Sequence, residues 1–280
     1  MPSSPLIIDC HAHIGEFRGY DLSEETLLEE IDREGVSLAL VSNIDGATVS
    51  GKTRGLDEGA ANRATAHAVR RHPDRLRGLL WGRPGQGSPE ALERFVTESL
   101  AADEAGRWTR RVFTGLKLHP EMNQFEADAP EVDGYMRFAR RHRFPVVIHC
   151  DAGVDEASPE RIIALAARHP EVPVVLYHMG FGGPHEQTIE RTASALEAGE
   201  AELYLETAQA SVEAVLEALR RVGPRRVLFG TDATYYGKGH YARYHALLAA
   251  LEGTLSPEEL TRVLALNSIQ LFALEREHDS

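Results

Sequence analysis

Short apolar, β-branched runs alternate along the chain with longer stretches whose apolar residues recur at helical spacing. The strand-like runs are residues 6–14, 38–43, 76–81, 114–119, 146–150, 174–178, 203–207 and 227–231. The helix-like stretches between them include 23–34, 58–71, 89–105, 131–142, 159–169, 185–198 and 211–221. Ser23, Ser88-Pro89, Ser158-Pro159 and Ser256-Pro257 supply caps or first-turn prolines, and Gly35, Gly106 and Gly223 sit where helices should stop. Eight strands, each followed by a helix, predict an α/β protein with a (β/α)8 barrel. A doubly wound sheet is the structural competitor, but it usually carries fewer strands. No Gly-x-Gly-x-x-Gly follows the first strand and no P-loop occurs, so a nucleotide site has no support. No Pro/Gly/Ser-rich linker divides the chain, which reads as one domain over residues 1–280. The longest irregular stretch, 44–56, follows the second strand and carries Lys52 and Arg54.

Composition narrows the function. The 280 residues are 42% hydrophobic and 26% charged, which suits a globular fold. Thirty basic against forty-three acidic residues give a net charge of −13, a balance that repels phosphate backbones and anionic lipid. The expected partner is therefore a small molecule, with neither nucleic acid nor membrane. Two cysteines, Cys10 and Cys150, exclude a disulfide scaffold. The N-terminal residues show no signal-peptide pattern and no run is long enough to span a bilayer, so a cytoplasmic location is expected. Nothing in the pattern sets an oligomeric state.

The candidate chemistry lies at strand ends. His11 and His13 share one strand face through the two-residue period. Alone the pair is weak, since thirteen histidines give about 0.6 such pairs by chance. Its weight comes from His149 closing the fifth strand, His178 the sixth and Asp232 the eighth, each behind an aliphatic run. The carboxyl ends of the strands are where (β/α)8 enzymes build their sites. Nitrogen and oxygen donors converging there suit zinc, with manganese or iron as alternatives, at one or two ions per chain. Lys117 and His119 form a second strand pair, in GLKLHP. Lys117 could anchor a carboxylate, act as an amine of lowered pKa, take up carbon dioxide as a metal-bridging carbamate, or snorkel to solvent. Alternation turns Cys10 and Cys150 outward into the helix layer, as inert thiols. Asp9 is placed to accept a proton from a ligand imidazole.

These residues resemble the amidohydrolase superfamily, in particular its amidohydrolase-related (amidohydrolase 2) group. The resemblance runs from DCHAH through RRHPDRLRGL, GLKLHP, PVVIHCDAG and VVLYHMG to LFGTDA and NSIQLFAL. It implies metal ligands at His11, His13, His149, His178 and Asp232, with Lys117 as the carboxylated lysine of two-metal members. In one-metal decarboxylases of the superfamily the sixth-strand histidine acts on the substrate, and His178 would take that part.

The reaction expected first is metal-dependent hydrolysis of an amide, lactone or ester-like bond. Asp232 would be the general base, and a metal or His178 would polarise the carbonyl. The alternative is a carbon–carbon lyase, decarboxylating a small unsaturated or aromatic acid. His119, Arg54 and Arg83 are the substrate-binding candidates, and Lys52 and Lys117 could also hold a carboxylate. A non-catalytic metal-binding barrel is the remaining reading.

Overall fold

The computed structural model describes residues 6–275 apart from 102 and 105. Eight parallel strands pair in chain order: β1 (Ile8–Ile14), β2 (Leu38–Asn43), β3 (Leu76–Gly82), β4 (Phe113–Leu118), β5 (Val146–Asp151), β6 (Val174–Phe181), β7 (Leu203–Glu206) and β8 (Val227–Leu228). They form a nearly closed (β/α)8 barrel. β8 is shorter than the expected 227–231 because the chain beyond Leu228 bends across to β1. There Cys10 N donates to Phe229 O at 3.1 Å, Asp232 N to His11 O at 2.8 Å and His13 N to Ala233 O at 2.6 Å. This seam closes the barrel and sets Asp232 beside the β1 histidines.

The helices are α1 (Glu24–Arg33), α2 (Glu58–Arg71), α3 (Pro89–Val96), α4 (Pro120–Asn123), α5 (Val132–His142), α6 (Pro159–Arg168), α7 (His185–Glu197), α8 (Val212–Val222), α9 (His245–Thr254), α10 (Pro257–Thr261) and α11 (Asn267–Leu271). Ser23, Ser88, Ser211 and Ser256 each accept a backbone N–H from the first turn of the helix that they open. Ser158 opens α6 without such a bond. Gly223 ends α8 at φ +80°, a conformation that costs glycine nothing. The expected helix 89–105 stops at Val96. Beyond it Ser99 bridges Arg111 antiparallel and Leu100 N donates to Arg110 O at 2.7 Å, so backbone groups that would continue the helix are used elsewhere. The expected end, residue 105, lies outside the described residues, and Gly106 follows no helix.

Two apolar layers hold the barrel. Alternate strand residues Ile8, Leu38, Leu40, Val147, Val175, Tyr177 and Leu228 pack with one another, and Ile269, Phe272 and Leu274 join them from the C-terminal segment. The intervening residues, such as Val41, Ile148, Leu176 and Leu205, share a second layer with helix side chains such as Ile31, Leu165 and Val215. Cys150 lies in this helix-facing layer, as alternation predicts. Cys10 does not: it packs in the inner layer. A register shift in β1 between Asp9 and Ala12 breaks the alternation, so Cys10 and His11 both serve the interior. Among the described residues no helix is long and apolar enough to cross a membrane.

Candidate metal centre and its cavity

His11, His13 and Asp232 meet at the carboxyl end of the barrel. His11 Nε2 lies 3.3 Å from His13 Nε2, and each lies 3.4 Å from Asp232 Oδ1. The other ring nitrogens set the tautomers. His11 Nδ1 faces Glu206 Oε2 at 3.1 Å, while His13 Nδ1 faces Ser42 Oγ at 3.1 Å and Ser42 O at 3.4 Å. A proton on each Nδ1 meets an oxygen, which leaves both Nε2 lone pairs aimed at the Asp232 carboxylate. Burial keeps both imidazoles neutral, His13 down to about 3 and His11 also well below its ordinary value. Asp232 sits at φ +62°, a strained conformation held by its N–H to His11 O.

A cation would resolve this arrangement. Three buried donor atoms face one another with no proton shared between them, which is repulsive unless a positive charge sits among them. Donors bound at 2.0–2.2 Å in a tetrahedral array are about 3.3–3.6 Å apart, and the triangle has these spacings. His11 Nε2, His13 Nε2 and Asp232 Oδ1 therefore fit a divalent metal. Burial pushes the Asp232 carboxyl above its ordinary pKa, against the hydrogen bond from Gln209 and the charge of Lys117. A bound cation would reverse that push.

Glu206, at the end of β7, went unnoticed in the sequence. Its Oε2 accepts from His11 Nδ1 and from His178 N, both at 3.1 Å, and its Oε1 accepts from Ala208 N at 2.5 Å. Burial pushes its pKa up to about 8, against those backbone donors. Glu206 takes the place expected for Asp9. The Asp9 carboxylate instead accepts from His11 N at 2.9 Å, Thr231 Oγ1 at 2.5 Å and Tyr241 Oη at 2.6 Å. It braces the seam, and among the described residues no histidine ring bonds to it.

His119, His149 and His178 line one cavity with His13 and Asp232. His178 reaches it through a backbone at φ +66°, and its Nδ1 faces Ala208 O at 3.3 Å, leaving Nε2 without that proton. The His149 ring lies 4.8 Å from the His178 ring, and His149 Nε2 is 3.4 Å from Glu121 Oε2. His119 stacks on His149 at 4.0 Å. It also caps α4, with Nδ1 accepting from Met122 N at 3.3 Å. That bond fixes its proton on Nε2, so His119 presents a hydrogen-bond donor rather than a metal lone pair. Lys117 is sealed in the barrel with Nζ 4.1 Å from the Tyr177 ring centre and no hydrogen-bond partner among the described residues. Burial pushes its amine below the usual lysine range.

The cavity holds about 320 Å³. Phe17, Leu22, Ile44, Val49, Met122 and Phe181 wall it, and Lys52 reaches it from the 44–56 loop. Arg54 and Arg83 are not among its lining residues. Arg54 is paired with Asp45 at 2.8 Å and Glu16 at 3.4 Å, and Arg83 donates to Leu56 O at 2.7 Å and to Gln86. Gln209, also unnoticed in the sequence, bridges the mouth. Its Oε1 accepts from Tyr236 Oη at 2.6 Å and its Nε2 donates to Asp232 Oδ2 at 3.2 Å. Only its backbone at φ +62°, with N–H on Tyr244 Oη, turns it toward Asp232.

The amidohydrolase family model matches residues 8–274. No curated protein sequence matches the chain. Among solved structures, the chain is similar to 5-carboxyvanillate decarboxylase from Novosphingobium aromaticivorans, complexed with manganese and 4-hydroxy-3-methoxy-5-nitrobenzoic acid. The two are 14% identical over 97% of each chain, with a TM-score of 0.68. It is also similar to 4-oxalomesaconate hydratase from Rhodopseudomonas palustris, at 15% identity over 96% of each chain and TM-score 0.68. A probable 2-pyrone-4,6-dicarboxylic acid hydrolase from Acinetobacter baumannii, with citric acid bound, is 15% identical over 95% of this chain and 99% of that one, with TM-score 0.63. At these identities the likeness establishes the fold.

Proposed function

The chain belongs to the amidohydrolase family, and from that premise we propose that it is a metal-dependent hydrolase of an amide, lactone or ester-like bond in a small molecule. The observation that carries this reading is the division of labour at Asp232. Its Oδ1 joins the His11–His13 triangle, while Gln209 holds Oδ2 at the cavity. A divalent cation bound at the triangle supplies positive charge that lowers the pKa of a water from about 15.7 to about 7 and polarises a carbonyl. Asp232 then accepts the proton of the attacking water and returns it to the leaving group. The Nε2–H of His119 supports the carbonyl oxygen as charge builds on it, with His178 beside it in the cavity. The apolar walls limit competing water. Lys117 lies outside the cavity lining and has no substrate contact in this reading.

A second reading, decarboxylation of a small aromatic acid, is favoured by those same walls and by Lys52, which suit a flat ring bearing a carboxylate. One experiment separates the two. The metal-loaded enzyme is given 2-pyrone-4,6-dicarboxylate and 5-carboxyvanillate, the compounds named for the structural neighbours, in ¹⁸O-water. Label in the product without carbon dioxide release supports hydrolysis. Carbon dioxide release with no label in the organic product transfers the proposal to the second reading.

A further inference from the structure

We propose that Lys52 is the anchor for a substrate carboxylate, held at the solvent end of the cavity away from the metal triangle. The inference rests on the reading of this cavity as the active site, and it names the substrate class: a small organic acid with a flat or compact apolar body, about the size of one ring. Four bases could hold a carboxylate on sequence grounds, and the structure separates them. Arg54 is engaged by Asp45 and Glu16, Arg83 by Leu56 and Gln86, and Lys117 is sealed in the barrel. Lys52 is the one lysine or arginine that lines the cavity, and among the described residues no carboxylate pairs with it.

Its backbone is fixed while its head is free. Lys52 N donates to Val49 O at 3.2 Å, Arg18 N donates to Lys52 O at 2.8 Å, and Thr53 Oγ1 donates to Ala47 O at 2.9 Å. The ammonium stands 5.6 Å from the centre of the buried Phe17 ring, and Lys52 as a whole is exposed to solvent. The cavity's histidines and Asp232 are each at most 8% exposed while Lys52 is exposed, so the reacting groups lie deep and the ammonium at the solvent side. Glu121, half exposed on the His149 side, repels a carboxylate presented there. An acid entering this cavity therefore points its charge at Lys52 and its body along Phe17, Leu22, Met122 and Phe181. On a chain of net charge −13, the positive charge of Lys52 at the mouth also favours anionic ligands there.

The test uses benzoate and its neutral isostere benzamide as probes on the metal-loaded protein, by calorimetry or ligand-observed NMR. Lys52→Met should weaken benzoate binding about tenfold, as loss of a charge-assisted contact does. Lys52→Arg should stay within about twofold, and benzamide should respond to neither substitution. Benzoate binding to Lys52→Met within about twofold of wild type overturns the proposal, as does wild type that fails to bind benzoate. Metal content and the metal-free protein are measured alongside. If wild type holds no metal, the metal reading fails, yet a Lys52-dependent preference for benzoate still supports the anchor. If metal removal abolishes benzoate binding while Lys52→Met does not weaken it, the carboxylate sits on the metal and the anchor is wrong.

Discussion

His11 Nδ1 and Glu206 Oε2 meet at 3.1 Å across 195 residues of chain, in a part of the barrel that water does not reach. The carboxylate fixes which nitrogen of His11 carries the proton and so frees Nε2 for a cation. Because two backbone N–H groups also hold Glu206, the support is rigid. Partners of this kind typically account for 10–100-fold in metal affinity. Glu206→Gln keeps the size but can turn an amide N–H toward His11. We expect its zinc or manganese affinity, measured by chelator competition, to fall by about 10–100-fold in a protein that still folds. Unchanged affinity would show that Glu206 does not set the ligand.

Asp232→Asn preserves one oxygen for the triangle and removes the base. Metal content should stay within about twofold of wild type, while turnover drops by about 10²–10⁴. Turnover within a few-fold of wild type would remove Asp232 from the proton-transfer role.

Gln209 bonds Asp232 at Oδ2, the oxygen that the triangle does not use. Gln209→Leu should lower kcat by about tenfold or more, because Asp232 Oδ2 loses the bond that orients it. Metal content should not change. The check is kcat and bound metal on one sample, and an unaltered kcat would mean that Asp232 is oriented without it.

Glu58 offers a pH test away from the site. Its buried carboxylate accepts from Tyr135 Oη at 2.6 Å, Arg83 N at 2.7 Å and Ser88 N at 3.2 Å, binding α2 to the β3–α3 loop. Burial raises its pKa above 4.5 in spite of these bonds. Between the unfolded and the raised folded value the native state binds the extra proton, so the contribution of Glu58 to stability grows as pH falls through that window. Glu58→Gln loses this gain and one acceptor, about 1–3 kcal/mol. By chemical denaturation its deficit should be larger at pH 5 than at pH 7. A deficit that narrows on acidification would reverse the assigned shift.

The sequence pattern located the barrel and most of the strand-end donors because simple alternation holds in β4, β5 and β7. Lys117 with His119, and Val147 with His149, keep the two-residue period. It misled where the backbone departs from that period. The β1 register shift brings Cys10 inward together with His11, against the expected outward turn. His178 lines the cavity as expected, although it does so through an αL backbone directly after the inward Tyr177 and not by alternation. Glu206 was legible in principle: Leu-Tyr-Leu-Glu ends β7 on a polar residue, as His149 and His178 follow their own runs, but it was one acid among forty-three. Gln209 carried no such signal, because only its φ of +62° brings it to Asp232. Arg54 and Arg83 were read from charge and loop position, and the acids and carbonyls that engage them are distant in sequence or indistinct in pattern.

On this account His11, His13 and Asp232 together hold a divalent cation. The most direct measurement is metal per chain, by elemental analysis after loading with zinc or manganese and desalting, on wild type and on the His11→Ala/His13→Ala double variant. We predict at least about one equivalent in wild type and near zero in the double variant, with both proteins folded by circular dichroism. Wild type that takes up no metal, or a double variant that retains the full equivalent, would contradict the claim.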